Sequence, residues 1–290
     1  PDTLYIAAAL YDGERLHPSP MALGVRSGRI VQVGASDSLE SLFGGEAEVV
    51  DLQGAFVMPG LLDAHVHPVG GALEMEQIRL SGLKTLAEIE EAILAYIRAH
   101  PDQPVYQGRG WELSVFDQGN PRREILDALM PDRPVVLTSW DGHSSWVNSR
   151  ALELAGVDAE TPDPVNGRIE RDADGRPTGT LRESAMGLVG GLLPERDLAE
   201  TVRLLRAARD ELHRLGITGI IEASTDPLLL QAFGELASSG NLGLRVVASL
   251  GLGIENPLPI DTLLARAQRF AGHPDIRTDA VKVFADGVPE

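Results

Sequence analysis

The chain has 290 residues, of which 43% are hydrophobic and none is cysteine, and its 43 acidic and 25 basic side chains leave a net charge of −18. This length and hydrophobicity suit one large or two ordinary globular domains, and the lack of cysteine excludes disulfides and thiolate metal ligands. The acidic surface argues against nucleic acid and anionic membranes as partners.

The first 55 residues are predicted to form a small β-rich unit. Short apolar runs separated by tight turns predict strands at 3–10, 21–26, 30–34 and 48–52. Nothing at the start resembles a basic segment leading into an apolar one, and no apolar run in the chain approaches the ~20 residues that cross a bilayer. We therefore expect a cytoplasmic protein.

The middle of the chain begins with a motif and continues as mixed sequence. The apolar run at 56–62 predicts a buried strand that leads into Asp63-Ala64-His65-Val66-His67. Thr85 and Glu88 form a capping box that starts a helix. Between about 104 and 190 only a strand at 135–139 stands out clearly.

Helices and strands alternate from residue 197 onward. Strands are predicted at 217–221, 244–250 and 281–284, with a helix before the first of them and others starting at Asp226 and Asp261. This alternation predicts a parallel sheet, either open or closed into a barrel.

His65 and His67 form the sharpest candidate site. Residues two apart on a strand point to the same side, so two imidazoles at a strand end can grip one metal ion. The alternative is a pair of hydrogen-bonded loop histidines.

The chain resembles a known enzyme family in several motifs that follow one another in the expected order. The motifs are the stretch 57–68, Gly108-Arg109-Gly110-Trp111, Asp141-Gly142-His143-Ser144, Thr180-Leu181-Arg182-Glu183 and Val281-Lys282-Val283-Phe284-Ala285-Asp286-Gly287. In these motifs the chain is similar to the metal-dependent amidohydrolase superfamily, and within it to the amidohydrolase 3 (YtcJ-like) branch, which includes N-substituted formamide deformylase.

The resemblance implies an α/β fold, a (β/α)8 TIM barrel of which about the first half is present, with a small N-terminal β-sandwich subdomain. Residues 1–55 would belong to the sandwich, and 56–290 to the barrel with a long insertion at about 70–195. A metal centre would lie at the carboxyl ends of the barrel strands, with His65 and His67 as ligands.

Lys282 is the third predicted metal ligand and a predicted catalytic residue. A lysine at the end of a strand in an apolar sheet is poorly solvated, which favours a nucleophilic amine. In family members with two metals, this amine is carboxylated by carbon dioxide and bridges both ions. Lys282 is one of only two lysines among the 25 basic residues. The alternative is a surface lysine or an ion pair with Asp286.

Four residues of the long insertion complete the predicted site. The resemblance makes His143 and Glu183 candidate catalytic residues, and Trp111, Asp141 and His143 candidate substrate contacts. The alternatives are a hydrogen-bonded loop histidine for His143, an arginine ion pair for Glu183 and a core position for Trp111.

The predicted function is hydrolysis of non-peptide, amide-like carbon–nitrogen bonds in a small molecule by metal-activated water. Zinc best suits imidazole and oxygen ligands, as one or two ions, with manganese, iron and nickel as alternatives. A mononuclear deaminase-type hydrolase of cyclic C–N bonds, in which Lys282 is structural, and a non-catalytic barrel protein are the rival functions. A homodimer is compatible with the family.

The family's two further histidine ligands and its catalytic aspartate would follow Glu290. We therefore expect the chain to be the N-terminal portion of a longer polypeptide.

Overall fold

A computed structural model of the protein describes residues 2–18, 20–43, 47–252 and 259–283. The chain divides into two units, the first comprising Pro1–Asp63 with Leu215–Gly219 and the second Ala64–Arg214 with Ile220–Glu290. All predicted site residues, from His65 to Lys282, lie in the second unit. Within the described ranges, no helix has the length and apolar character needed to cross a membrane.

The first unit is built on a five-stranded sheet. Its elements are β1 (Thr3–Leu10), β2 (Met21–Arg26), β3 (Arg29–Ala35), α1 (Ser36–Phe43), β4 (Glu48–Asp51) and β5 (Phe56–Val57). The strand order is β3-β2-β1-β4, and β5 also pairs with β1. The predicted strands are confirmed, whereas α1 was not predicted. Leu39 of this helix packs against Leu4 and Ala22 of the sheet.

The apolar segment 56–62 forms two strands, and the prediction of a single buried strand there is wrong. β5 ends at Val57 and β6 (Leu61–Val66) begins four residues later. Pro59 lacks the N–H that a ladder needs, and a Cβ at Gly60 would lie 2.0 Å from the Thr218 hydroxyl. Leu61 and Leu62 are 48% and 61% exposed. The strand that carries His65 and ends just before His67 is therefore β6, not one continuous strand from residue 56.

The predicted insertion contains a six-stranded mixed sheet. Its strands are β7 (Ile78–Arg79), β8 (Tyr106–Trp111), β9 (Val135–Ser139), β10 (Ser144–Val147), β11 (Gly167–Arg171) and β12 (Pro177–Glu183). Its helices are α2 (Pro68–Met75), α3 (Leu86–Ala99), α4 (Arg123–Leu129) and α5 (Ser149–Ala155). The order is β11-β12-β10-β9-β8-β7, with β7, β8 and β9 parallel. The predicted strand at 135–139 and the capping box of Thr85 and Glu88 are both confirmed.

The remaining elements alternate as predicted. They are α6 (Leu198–Arg214), β13 (Ile217–Thr225), α7 (Pro227–Ser238), β14 (Arg245–Leu252), α8 (Ile260–Gln268) and β15 (Ile276–Val283). The predicted start of α7 is confirmed, because the Asp226 carboxylate accepts a hydrogen bond from the Leu229 N–H at 2.7 Å. These strands and β6 form an open sheet in the order β15-β14-β13-β6. The fold of the described residues is therefore mixed α/β, and barrel closure stays a prediction.

Candidate metal centre

The two predicted histidine ligands lie side by side at the end of β6. His65 is the penultimate residue of the strand, and His67 is the N-cap residue of α2. Their ring centroids are 5.5 Å apart and the rings are nearly perpendicular, at 87°. The chain therefore brings together two imidazoles on one side of a strand end, as the H-x-H spacing predicts.

A buried carboxylate that the sequence analysis missed holds His67. Glu222, on the neighbouring strand β13, is 1% exposed, and its Oε1 lies 2.9 Å from His67 Nδ1. Its Oε2 accepts hydrogen bonds from the Ser224 N–H at 3.1 Å and from the Thr225 hydroxyl. An ionised carboxylate only accepts, so this contact places the proton of His67 on Nδ1 and leaves the Nε2 lone pair for another partner.

The arrangement fits two ligands of a divalent metal site. Neutral imidazole nitrogens are common zinc ligands, and a ligating histidine usually donates its other N–H to a carboxylate or carbonyl. Across the described ranges, no group of three or more histidine, cysteine, aspartate or glutamate side chains could hold a metal. A complete metal centre therefore needs at least one further ligand, either a residue of another type or a residue outside the described ranges.

Lys282 is half-buried on β15, at the opposite edge of the sheet from β6. A bulge gives β15 one extra residue midway along its pairing with β14. After the bulge, Lys282 pairs with Gly251 and shares the sheet face of Ser249. Leu250 is buried on the opposite face. Lys282 thus lies on the sheet face opposite Leu250 and Val281. Its predicted alternative partner Asp286 lies outside the described residues.

His143 and Glu183 meet at the ends of two antiparallel strands. His143 precedes β10 and Glu183 ends β12, and the Nδ1 atom of His143 lies 3.0 Å from both carboxylate oxygens. The alternative pairing of Glu183 with Arg182 is not observed, since Arg182 donates to Ser144 Oγ and Asn120 Oδ1, each at 2.7 Å. The structure therefore joins the two predicted catalytic residues into one pair.

The backbone at Glu183 is strained. Its φ of 49° and ψ of −126° fall where L-residues are rarely found. Such a conformation costs about 1–3 kcal/mol and persists only where surrounding contacts fix it. The Glu183 N–H supplies one such contact by donating to the His143 carbonyl at 3.0 Å.

Trp111 belongs to the hydrophobic core, which corrects the substrate contact predicted for it. The side chain is 0% exposed, and its indole N–H donates to the Leu137 carbonyl at 2.9 Å. The ring packs edge-on against Phe116 and Trp146. Because both its apolar surface and its polar atom are satisfied inside the protein, no surface remains for a ligand.

Asp141 shapes the turn that presents His143. Its Oδ1 accepts from the Ser139 hydroxyl at 2.5 Å and from the His143 N–H at 3.0 Å. The next residue, Gly142, lies against Arg109, whose Nη2 would be 3.3 Å from a Cβ at that position. The Gly-Arg-Gly-Trp motif and the Asp-Gly-His-Ser motif are therefore in contact at the Arg109 guanidinium.

A cavity of about 430 Å³ extends from His67. It lies where the carboxyl ends of the parallel strands β7, β8 and β9 meet the start of α2, the edge at which open α/β sheets usually bind ligands. The cavity is lined by His67, Glu74, Ser81, Arg109, Glu112 and Trp140. Neither Arg109 nor Trp140 was predicted as a site residue from the sequence, although Arg109 stands in the Gly-Arg-Gly-Trp motif.

Comparison with known proteins identifies one family over most of the chain. Residues 48–290 match the model of the amidohydrolase family. A relative from Arabidopsis thaliana, Protein LONG AFTER FAR-RED 3, is 33% identical over 76% of this chain and 38% of its own length. N-substituted formamide deformylase from Arthrobacter pascens is 32% identical over 83% of this chain and 46% of its own length.

A solved structure shares the fold. The crystal structure of an uncharacterized metal-dependent hydrolase from Pyrococcus horikoshii matches 99% of this chain with a TM-score of 0.69 and 23% identity. The match covers 55% of that protein. The chain thus spans about half the length of the relatives it matches.

Proposed function

Because the chain belongs to the amidohydrolase family, we propose that the protein is a metal-dependent hydrolase of amide-like carbon–nitrogen bonds other than peptide bonds. The observation that carries the proposal is the pairing of His65 and His67 beside the buried Glu222 carboxylate. The relative from Arthrobacter pascens supports the bond type, since its name refers to N-substituted formamides, which are amides. We also propose that the four-stranded sheet is part of a (β/α)8 barrel.

The residues of the centre have separate tasks in this proposal. His65 and His67 would hold a divalent cation, with zinc the best match to imidazole donors. When bound, such an ion activates a water molecule and polarises the substrate carbonyl. Glu222 keeps His67 in the tautomer whose Nε2 can ligate, and its burial among fixed donors prevents the ring from turning.

His143 and Glu183 supply proton transfer and substrate contact in this proposal. A carboxylate 3.0 Å from Nδ1 fixes the imidazole plane and favours the proton on that nitrogen. An imidazole oriented in this way suits general acid–base chemistry near neutral pH. The strained backbone at Glu183 is consistent with such a role, because strain tends to be retained at functional sites.

The role of Lys282 distinguishes a site with two metal ions from a site with one. We propose that its amine is carboxylated and serves as an oxygen ligand, which supplies a donor type other than histidine, aspartate and glutamate. In the mononuclear alternative, Lys282 is structural. Metal content that rises with bicarbonate favours the carboxylated form, whereas one equivalent that bicarbonate leaves unchanged favours the mononuclear form.

The proposed function is tested on the full-length protein with a panel of N-substituted formamides and acetamides. We expect hydrolysis to disappear after treatment with a chelator and to return with zinc. His67→Asn should abolish both zinc binding and hydrolysis, while His213→Asn, a change on the surface of α6, should affect neither. Hydrolysis that survives complete metal removal, or a zinc-loaded protein inactive on every amide, would contradict the proposal.

A further inference from the structure

Arg109 places a guanidinium in the cavity beside His67, and no side chain of the described residues forms an ion pair with it. The residue is half-buried on β8, and its side chain lines the cavity. Within the described part of the chain, the Arg109 guanidinium makes no hydrogen bond and no ion pair. A guanidinium offers five N–H donors in a planar fork suited to carboxylates, so it is available to a ligand.

The carboxylates of the same cavity already have partners. Glu74 accepts a hydrogen bond from the Ser81 hydroxyl at 3.0 Å, and Glu112 forms an ion pair with Lys84 at 2.5 Å. Among the described residues, Arg109 is therefore the charged group of the cavity lining without a hydrogen-bond partner, and guanidinium donors in a planar fork favour an anionic ligand.

The backbone of β8 fixes Arg109 in this position. Gly110 has a φ of +102°, and a Cβ there would lie 2.1 Å from Ser81 Oγ and 2.6 Å from the Ser81 backbone nitrogen. The strand thus approaches the segment after β7 as closely as only glycine permits. Beyond the strand, Gly142 leaves just enough room for the guanidinium.

An exposed aromatic ring completes the cavity. Trp140 follows β9, and its side chain is 64% exposed although it is large and mostly apolar. A tryptophan at a cavity mouth can cover an apolar or aromatic group of a ligand. The cavity therefore combines a cation and an aromatic surface close to the candidate metal ligand His67.

We propose that this cavity is a substrate subsite in which Arg109 binds a carboxylate and Trp140 covers an apolar group. The substrates would be small amides that carry a carboxylate, such as N-acylated amino acids, with the amide bond towards His67. This inference rests on the proposed function for the reaction, and on Arg109 for the substrate class.

The test compares two probes that differ in the charge of one end group. N-Benzoylglycine and N-benzoylglycinamide share the aromatic ring and the benzamide bond, but the first ends in a carboxylate and the second in a neutral carboxamide. Binding to the full-length protein is followed by quenching of tryptophan fluorescence, because Trp140 is exposed while Trp111 and Trp146 are fully buried. The Trp140→Phe variant shows how much of the quenching comes from Trp140. Hydrolysis of both probes is measured in parallel with the zinc-loaded protein.

We expect N-benzoylglycine to bind about tenfold more tightly than N-benzoylglycinamide, the effect of one charged hydrogen-bonded contact. Arg109→Gln should remove this preference, and Arg109→Lys should retain part of it, because an ammonium keeps the charge without the planar fork. Arg206→Gln, which removes an exposed arginine of α6, should leave the preference unchanged. Circular dichroism verifies that each variant is folded.

Equal binding of the two probes, a preference that survives Arg109→Gln, or no saturable quenching by either probe at millimolar concentration would overturn the inference. Binding does not require turnover, so the two proposals can fail separately. Carboxylate-dependent binding without hydrolysis of any amide would contradict the proposed function alone. Hydrolysis of amides without any preference for a carboxylate would contradict the subsite alone.

Discussion

Replacing Glu222 by glutamine tests whether a buried carboxylate sets the state of His67. The carboxylate accepts hydrogen bonds from His67 Nδ1, from the Ser224 N–H and from the Thr225 hydroxyl. Glutamine has one carbonyl oxygen, and keeping it on Ser224 and Thr225 turns its NH₂ group towards His67. His67 Nδ1 must then accept a hydrogen bond, its proton moves to Nε2, and Nε2 loses the lone pair that a metal requires.

The opposite orientation of the glutamine amide also has a cost. If the carbonyl oxygen faces His67, the NH₂ group faces the Ser224 N–H, and this buried donor is left unpaired at a cost of about 1–3 kcal/mol. Loss of a partner behind a metal ligand typically reduces affinity about 10- to 100-fold, which corresponds to about 1.4–2.7 kcal/mol. Only this second orientation leaves Nε2 free for zinc, so zinc binding to the variant has to include that cost, and the expected loss of affinity is of similar size.

Two measurements on the full-length protein check this prediction. Competition with a chromophoric chelator gives the zinc affinity, and nitrogen-15 NMR of labelled histidines in the metal-free protein reports which ring nitrogen of His67 is protonated. Glu235→Gln, at an exposed position of α7, is the control for loss of one negative charge. Wild-type zinc affinity in Glu222→Gln, together with a proton still on Nδ1, would refute the reasoning.

Three further changes have defined outcomes. Gly110→Ala should destabilise the protein by about 2 kcal/mol or more, because the new Cβ would lie 2.1 Å from Ser81 Oγ at a φ of +102°; an unchanged melting temperature would contradict this. Arg203 donates to both carboxylate oxygens of Glu76 at 2.7 Å, and this hydrogen bonding lowers the pKa of Glu76 below its usual 4.5. Because the pKa of Glu76 is lowered by folding, the ion pair stabilises the protein at a pH above the pKa of the unfolded chain, and this stability is lost as the pH falls through the pKa of the folded protein. Arg203→Gln should therefore cost at most about 1 kcal/mol at neutral pH, since the pair is nearly half exposed, and less in acid. Urea unfolding at both pH values measures the difference, and an equal loss in acid would contradict it. Lys282→Arg keeps the charge but removes the primary amine, so bicarbonate should no longer raise the metal content; an unchanged bicarbonate effect would contradict carboxylation.

Elements with strong local signals could be predicted from the sequence. The run at 135–139 is apolar and β-branched, and it forms β9 with those bounds. The capping box of Thr85 and Glu88 marks the start of α3 because its hydrogen bonds are local. The segment 56–62 differs, because its division depends on Gly60 approaching Thr218, a residue far along the chain.

The candidate site was predictable only where a motif carried it. His65 and His67 are two residues apart, whereas Glu222 lies 155 residues from His67 in the sequence, and no spacing joins them. The available signal was a glutamate inside the apolar strand Ile217–Thr225, since a buried carboxylate needs a partner. In the Gly-Arg-Gly-Trp motif, tryptophan drew the substrate prediction, but the fold buries Trp111 and leaves Arg109 at the cavity.

The candidate metal ligands and the wall of the proposed subsite are carried by different sheets. The His67–Glu222 contact joins the residue directly after β6 to β13, whereas Arg109 lies on β8 and Ser81 and Trp140 lie in the segments that follow β7 and β9. Substitutions at the cavity wall can therefore alter the preferred ligand without disturbing the tautomer of His67. For protein engineering, this makes positions 109 and 140 natural targets for libraries that test the proposed subsite while His67 and Glu222 are kept constant.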